Sequence, residues 1–306
     1  MIDLWAEKYR PDSVDDYVFS DPGQKQQVED WIKQGTIGHL LFSGSAGIGK
    51  TTLAKILIKQ LGVEDYDVLQ INASRDNGVD FIKDRIEGFV QTIPFGKFKV
   101  VLLDEADYLS VNSQAVLRGL METYAENARF IMTCNYPHKI IPALHSRCQG
   151  FHFEKLDHTE YTARIATVLV TENIAFDLDV LDSYVKVAYP DLRKCLNNTQ
   201  MNSIQGELKL PNVNSSSGDY RLEMVELLKK KKLREARTLL CSKARPEEME
   251  DLFRFFYDNL NLFSTTIQGQ DEAIIIIRRA YVSHTSCADS EINLSACMTE
   301  LMGINT

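Results

Sequence analysis

The stretch "GSAGIGKT", residues 44–51, has the residue types and spacing of a phosphate cradle. It fills the pattern G-x-x-x-x-G-K-[ST] at every fixed position, with an apolar run before it and helical periodicity after it. Gly44, Gly47 and Gly49 let the backbone curl so that its N–H groups point inward at phosphate oxygens, with Ser45, Ala46 and Ile48 completing the loop. A helix starting near Lys50 adds its positive dipole end. Lys50 is then placed to reach the β- and γ-phosphates, Thr51 to ligate Mg²⁺, and Thr52 to continue the same turn. ATP and Mg²⁺ are the expected ligands. The competing reading is a chance glycine turn.

"VVLLDEAD", residues 100–107, offers the second half of a hydrolytic site. A buried strand delivers two adjacent acids at its C-terminal end, where open α/β sheets hold their ligands. Asp104 suits the Mg²⁺ shell and Glu105 suits the orientation of an attacking water. A solvated acidic turn is the bland alternative. A small-molecule kinase needs no water-orienting glutamate beside its magnesium aspartate, so the pair favours hydrolysis over transfer to a hydroxyl.

These groups need a scaffold. Short apolar runs at 38–43, 67–71, 98–103 and 128–133 alternate with polar or helical segments, and 52–60 has helical spacing. That alternation predicts a parallel sheet flanked by helices. Strand-like runs stop near 157, and helices are expected over 159–205 and again over 220–306. The loop composition of 206–219, "GELKLPNVNSSSGD", predicts a domain boundary there. With 306 residues, two or three domains are expected.

Composition narrows the class. Hydrophobic residues make up 44% and charged residues 25%, ordinary for a globular protein. No apolar run has the length of a membrane span and the N-terminus lacks a signal-peptide layout, so an intracellular (cytoplasmic or nuclear) protein without membrane contact is expected. Six scattered cysteines with no C-x-x-C pair suggest reduced thiols. A net charge of −9 means that any nucleic-acid contact must come from a local basic patch.

Six segments then carry a family resemblance: "EKYRP" (7–11), "HLLFSGSAGIGKTT" (39–52), "INASRDNGVDFIKDRIEGF" (71–89), "LLDEADYL" (102–109), "TCNYPHKIIPALHSRC" (133–148) and "PDLRKCLN" (190–197). Their order and spacing resemble the sliding-clamp loader ATPase subunits, the replication factor C small-subunit family of the AAA+ superfamily. "YPDLRK" also looks like T-even-type phage members. The resemblance implies an AAA+ P-loop domain (1–156), a small helical lid (157–210) and an all-α collar (220–306) that holds five subunits in a ring. It implies ATPase activity stimulated by a sliding clamp and by primer–template DNA.

The resemblance also implies residue roles. Arg147 of "SRC", with no carboxylate beside it in sequence, would act in trans on the γ-phosphate held by a neighbouring subunit; by position alone a local cap or ion pair reads equally well. Asn135 matches sensor 1 and Arg193 matches sensor 2. Asn72 matches a switch that restrains Glu105, against the equal alternative of a structural asparagine. Tyr9, Arg10 and Pro11 match the segment packed on adenine, although Tyr9 also reads as plain core. Lys83 and Arg85, on a helix expected over 77–88, and more weakly Arg75, would track DNA phosphates without reading base sequence; a solvated helix face is the rival. Gly119, following Arg118, stands where the family often has a second arginine, which weakens any DNA role for that helix. The run "KKKKLREAR", 229–237, reads as the solvent face of one collar helix. Two other readings stand beside the loader: another AAA+ DNA motor, such as a helicase loader or branch-migration helicase, and a nucleotide-binding scaffold without turnover.

Overall fold

The computed structural model describes residues 4–210, 220–244, 248–284 and 286–304. They form two compact units. The first runs to Tyr161 and includes Pro190–Lys194; the second comprises Thr162–Tyr189 and the described residues from Cys195 onward.

In the first unit, α1 (Trp5–Lys8) and α2 (Pro22–Gln34) precede β1 (Leu40–Ser43). Then follow α3 (Lys50–Gln60), β2 (Val68–Asn72), α4 (Val79–Val90), β3 (Lys99–Asp104), α5 (Val111–Thr123), β4 (Ala128–Cys134), α6 (Pro142–His145) and β5 (Gln149–His152). The strands form one sheet in the order β2-β3-β4-β1-β5, every adjacent pair parallel. The four expected strands are present, and the fold is the α/β P-loop class.

Alternation along the strands divides the core between the two faces. Leu41, Val101, Leu103, Phe130 and Met132 point to one, with Ile82 and Ile86 of α4 and Leu117 of α5. Leu40, Phe42, Leu102 and Ile131 point to the other, with Trp31 of α2 and Leu53 and Leu57 of α3. Helices on both faces explain why β3 is apolar for nearly its whole length rather than alternating.

The fifth strand, β5, was not expected. "QGFH" has four residues and buries only Phe151, so its pattern carries little signal, yet Leu40 through Ser43 pair with it residue by residue. Its place beside β1 makes β1 internal: the chain leaves β1 for β2 at the far edge, steps back through β3 to β4 and passes β1 to reach β5, so the connections after β1 and β4 run in opposite directions, the kind of switch point at which such sheets bind ligands.

The second unit contains most of α7 (His158–Thr171), α8 (Leu178–Ala188), the greater part of α9 (Leu192–Asn202), and then α10 (Tyr220–Lys229), α11 (Leu233–Lys243), α12 (Met249–Asp258), α13 (Ile267–His284) and α14 (Ser290–Met302). Strands do not stop at 157: β6 (Ser203–Ile204) and β7 (Glu207–Leu208) form a two-residue antiparallel hairpin whose turn places Gln205 and Gly206 at positive φ. Most of the loop expected over 206–219 lies outside the described residues.

The basic run 229–237 is not one helix either. α10 ends at Lys229, the chain turns with Lys231 at φ 56°, and α11 starts at Leu233. Lys229 faces α8, where its ammonium meets Asp182 Oδ2 at 2.8 Å and donates to Ser183 Oγ at 2.7 Å. Among the described residues no helix is long and apolar enough to cross a membrane.

Candidate active site

The C-terminal ends of β1, β3 and β4 converge on the phosphate cradle. Gly44, Gly47 and Gly49 have φ of 148°, 72° and 97°, conformations that side chains disfavour. All three are also closed in by near neighbours, Gly44 by the Phe153 carbonyl oxygen, 2.6 Å from where a methyl group would sit. A methyl group on Gly49 would come 2.7 Å from the Tyr17 hydroxyl, and one on Gly47 would overlap the Asp191 carboxylate. Tyr17 lies beneath the loop and donates to the Ile48 carbonyl at 3.3 Å. Asp191 accepts from Lys194 N at 3.0 Å, which fixes the start of α9. Neither residue has a role legible in the sequence, because both lie far along the chain from the loop they touch; Asp191 falls in the segment 190–197, but nothing there ties it to the phosphate loop.

Lys50 opens α3 and is 7% exposed. Its ammonium donates to Gly44 O at 2.9 Å, Ser45 O at 2.6 Å and Asn135 Oδ1 at 2.9 Å. Three acceptors use all three of its protons. Burial still pushes the group down to about 8, against the opposing pull of the Asp104, Asp107 and Asp191 carboxylates. The Cys134 thiol beside it is pushed up to about 12, chiefly by burial, and stays protonated.

The magnesium candidates meet directly. Thr51 Oγ1 donates to Asp104 Oδ1 at 2.6 Å. Thr133 Oγ1, from β4, donates to the same oxygen at 2.5 Å and accepts from Glu105 N at 3.0 Å. Two hard oxygens beside a glycine cradle fit Mg²⁺, which takes few protein ligands and keeps phosphate and water for the rest of its shell. Among the described residues there is no group of three or more His, Cys, Asp or Glu placed to hold a metal. Glu105 follows Asp104 at φ 58°, ψ 44°, a left-handed turn that sets the direction of its side chain.

Asn135 is brought into the site by its contact with Lys50. The buried Asp107 holds the Asn135 loop through Oδ2, which accepts from Asn135 N at 3.2 Å and Tyr136 N at 3.1 Å. Asn72 ends β2 in register with Asp104. Its Oδ1 accepts from Ser74 N at 2.9 Å and Ser74 Oγ at 2.6 Å, closing a local turn rather than reaching Glu105.

The other candidates are dispersed. Arg193 is exposed on the first turn of α9. Arg10 pairs with Glu7 at 2.8 Å, and Tyr9 closes α1. Lys83 and Arg85 are exposed on α4, and Arg75 is exposed in the turn before it. Arg147 does not stand alone: the local ion pair that its position allowed is present. Its guanidinium forms an ion pair with Glu122 of α5 and donates to Ala143 O at 2.8 Å. That partner is 25 residues away on another element, which is why the sequence hides it.

Gln114 of α5 was also passed over. It is 1% exposed, donates to Leu109 O at 3.1 Å and Lys139 O at 3.0 Å, and accepts from Ile141 N at 2.8 Å. One amide thereby ties the segment after Glu105 to the segment that leads to Arg147.

Comparison with known proteins agrees with this geometry. The model of the ATPase family associated with various cellular activities (AAA) matches residues 40–155. The replication factor C small subunit of Sulfurisphaera tokodaii is 41% identical, over 67% of this chain and 64% of that protein, just under two thirds of its length. The replication factor C small subunit of Saccharolobus solfataricus is 34% identical over 97% of this chain and 94% of the other.

The chain belongs to the replication factor C small-subunit family. The relatives named here are archaeal, so the phage likeness of "YPDLRK" finds no support in them. The fold is shared more widely than the family. The Holliday junction branch migration motor RuvB of Thermotoga maritima superposes with a TM-score of 0.55 at 13% identity, covering 76% of this chain and 85% of that one. At that identity the likeness concerns architecture alone.

Proposed function

We propose that this subunit uses ATP binding to help open a sliding clamp and grip primer–template DNA, and ATP hydrolysis to release the closed clamp. The observation that carries the reading is the 2.6 Å hydrogen bond from Thr51 to Asp104, which joins the phosphate loop to the acidic strand end. Thr51 and Asp104 would hold Mg²⁺, which when bound neutralises charge across the β- and γ-phosphate oxygens. Lys50 would exchange its loop carbonyls for phosphate oxygens. Glu105 would orient the attacking water, Asn135 would contact water and γ-phosphate, and Arg193 would touch the phosphates from the lid. Tyr9, Arg10 and Pro11 would border the adenine. We assign Asn72 as the switch on Glu105, which requires release of its present turn with Ser74.

Arg147 would serve the ATP of the adjacent subunit in a five-membered ring held by the collar. In the single chain it is paired with Glu122, and assembly would draw it onto the neighbouring phosphates. Lys83, Arg85 and Arg75 would meet DNA phosphates. The three-part division at 156 and 210 remains our reading of the domains.

The opposite end of the sheet supports a protein partner. Tyr66 and Phe95 are 77% and 84% exposed with ring centroids 5.8 Å apart, and Ile93 is 86% exposed. They precede the parallel strands β2 and β3, so they lie away from the nucleotide end. Large apolar side chains left in water together mark a docking surface, and we assign this one to the clamp.

The test is ATP turnover by the lone subunit and by the complete loader, each with and without clamp and primed DNA. Turnover should be low in the lone subunit and rise when assembly, clamp and DNA are all present. Equal turnover in the lone subunit and the full assembly would contradict the proposal.

A further inference from the structure

β4 is buried from Phe130 to Cys134, and Thr133 is the one hydroxyl in that run. A buried hydroxyl costs stability unless it is satisfied, and here it is satisfied twice. Its proton goes to Asp104 Oδ1 at 2.5 Å, so toward Glu105 N at 3.0 Å it acts as acceptor. The same Asp104 oxygen receives Thr51 Oγ1. The result is a continuous chain, Thr51–Asp104–Thr133–Glu105, joining the phosphate loop, the metal-side carboxylate and the backbone of the water-orienting residue.

The last link matters because Glu105 is a non-glycine residue in the left-handed region, at φ 58°. That conformation is unfavourable for a side-chain-bearing residue, so it persists only where neighbours hold it. Thr133 supplies a bond to the Glu105 amide from a rigid central strand. A rotation of this peptide would redirect the Glu105 side chain, while the contacts of Lys50 in the phosphate loop do not depend on it.

We propose that Thr133 is a positioning residue for hydrolysis, whose hydroxyl fixes both the Asp104 carboxylate and the left-handed Glu105 backbone. The inference rests on the roles proposed above for Asp104 and Glu105. It assigns Thr133 to the chemical step rather than to ATP affinity.

The test compares Thr133→Val, which keeps the shape and removes the hydroxyl, with Thr133→Ser, which keeps the hydroxyl. Hydrogen exchange at the Glu105 amide is followed in the nucleotide-free subunit, and kcat and KM for ATP in the complete loader. Thr133→Val should speed exchange at Glu105 and lower kcat by about 10–100-fold, the usual loss when an outer partner of a metal site is removed, with KM within about threefold. Thr133→Ser should stay near wild type in both. Should Thr133→Val fail to fold, Thr133→Ala replaces it with the same expectations. Wild-type kcat in the hydroxyl-free variant would overturn the proposal, as would equal losses in the valine and serine variants. Glu105→Gln separates the two layers: if it hydrolyses ATP normally the reading of the site itself fails, whereas if it is inactive while Thr133→Val is normal, Thr133 alone is misassigned.

Discussion

Lys50 and Arg147 are two of the cations assigned to one reaction, and they stand in opposite situations. Lys50 is 7% exposed and uses all its protons on acceptors of its own loop and Asn135. Arg147 has a side chain one third exposed and is paired with a carboxylate that belongs to no catalytic motif. The first is built in place by the fold that needs it. On the proposed reading the second is parked. A buried cation with satisfied geometry belongs to a site inside its own chain, whereas an accessible cation on a replaceable partner is available to another molecule.

The largest effect that sharpens this contrast comes from removing each cation in the assembled loader. Lys50→Ala should abolish tight ATP binding and hydrolysis together. Arg147→Ala should leave ATP binding within about threefold while turnover falls by about a thousandfold or more, as for other arginines supplied to phosphoryl transfer. Filter binding and steady-state ATPase assays check both. Loss of ATP affinity in Arg147→Ala would place the arginine in its own chain's pocket.

Gln114→Ala probes the connection between the two regions. It leaves Leu109 O, Lys139 O and Ile141 N without their partner, and each buried polar group so stranded costs about 1–3 kcal/mol. Thermal unfolding should show a loss of at least about 3 kcal/mol, and turnover should fall more than ATP affinity. A neutral variant would mean that the Arg147 segment is held without help from α5.

The pH dependence of ATP binding tests the Lys50 side alone. Its ordinary value is near 10.5, and burial lowers it to about 8 in the free protein. Bound phosphates favour the charged form. Below pH 8 the ammonium is already present and affinity should be flat with respect to this group. Above pH 8 binding must take up a proton, so affinity should fall with pH by up to tenfold per unit. Calorimetry at pH 8.5–9 in buffers of different ionisation enthalpy reads this uptake directly. No proton uptake there would show that Lys50 is already fully charged in the free protein.

Glu122→Ala is the smallest perturbation. An ion pair this exposed contributes about 0–1 kcal/mol, so the melting temperature should hardly move. Turnover in the complete loader should be unchanged or higher, because the parking partner is gone. A large drop would give Glu122 a role beyond parking.

The contrast also explains what the sequence made legible. The phosphate loop, Asp104 and Glu105 are local: a strand, a turn and a helix start carry them in consecutive residues, and the four longer strands announce themselves by apolar runs. β5 is four residues long with one buried side chain, too little pattern to detect. Tyr17, Gln114, Thr133 and Asp191 act through contacts that only the folded sheet creates. Arg147 was legible as a motif, but its partner Glu122 was not, because the meeting of α5 with the chain after α6 has no trace in local spacing. The basic run 229–237 misled for the opposite reason: apolar spacing survived across a turn that Lys231 makes with a left-handed residue.

The most direct measurement is complementation in mixed loaders. Assemblies made only with Lys50→Ala subunits, or only with Arg147→Ala subunits, should be inactive. Mixed assemblies should regain turnover at interfaces that pair an intact phosphate loop with an intact arginine from next door. Recovery on mixing is the predicted result; mixtures no more active than the two parent assemblies would contradict an arginine acting across the subunit boundary.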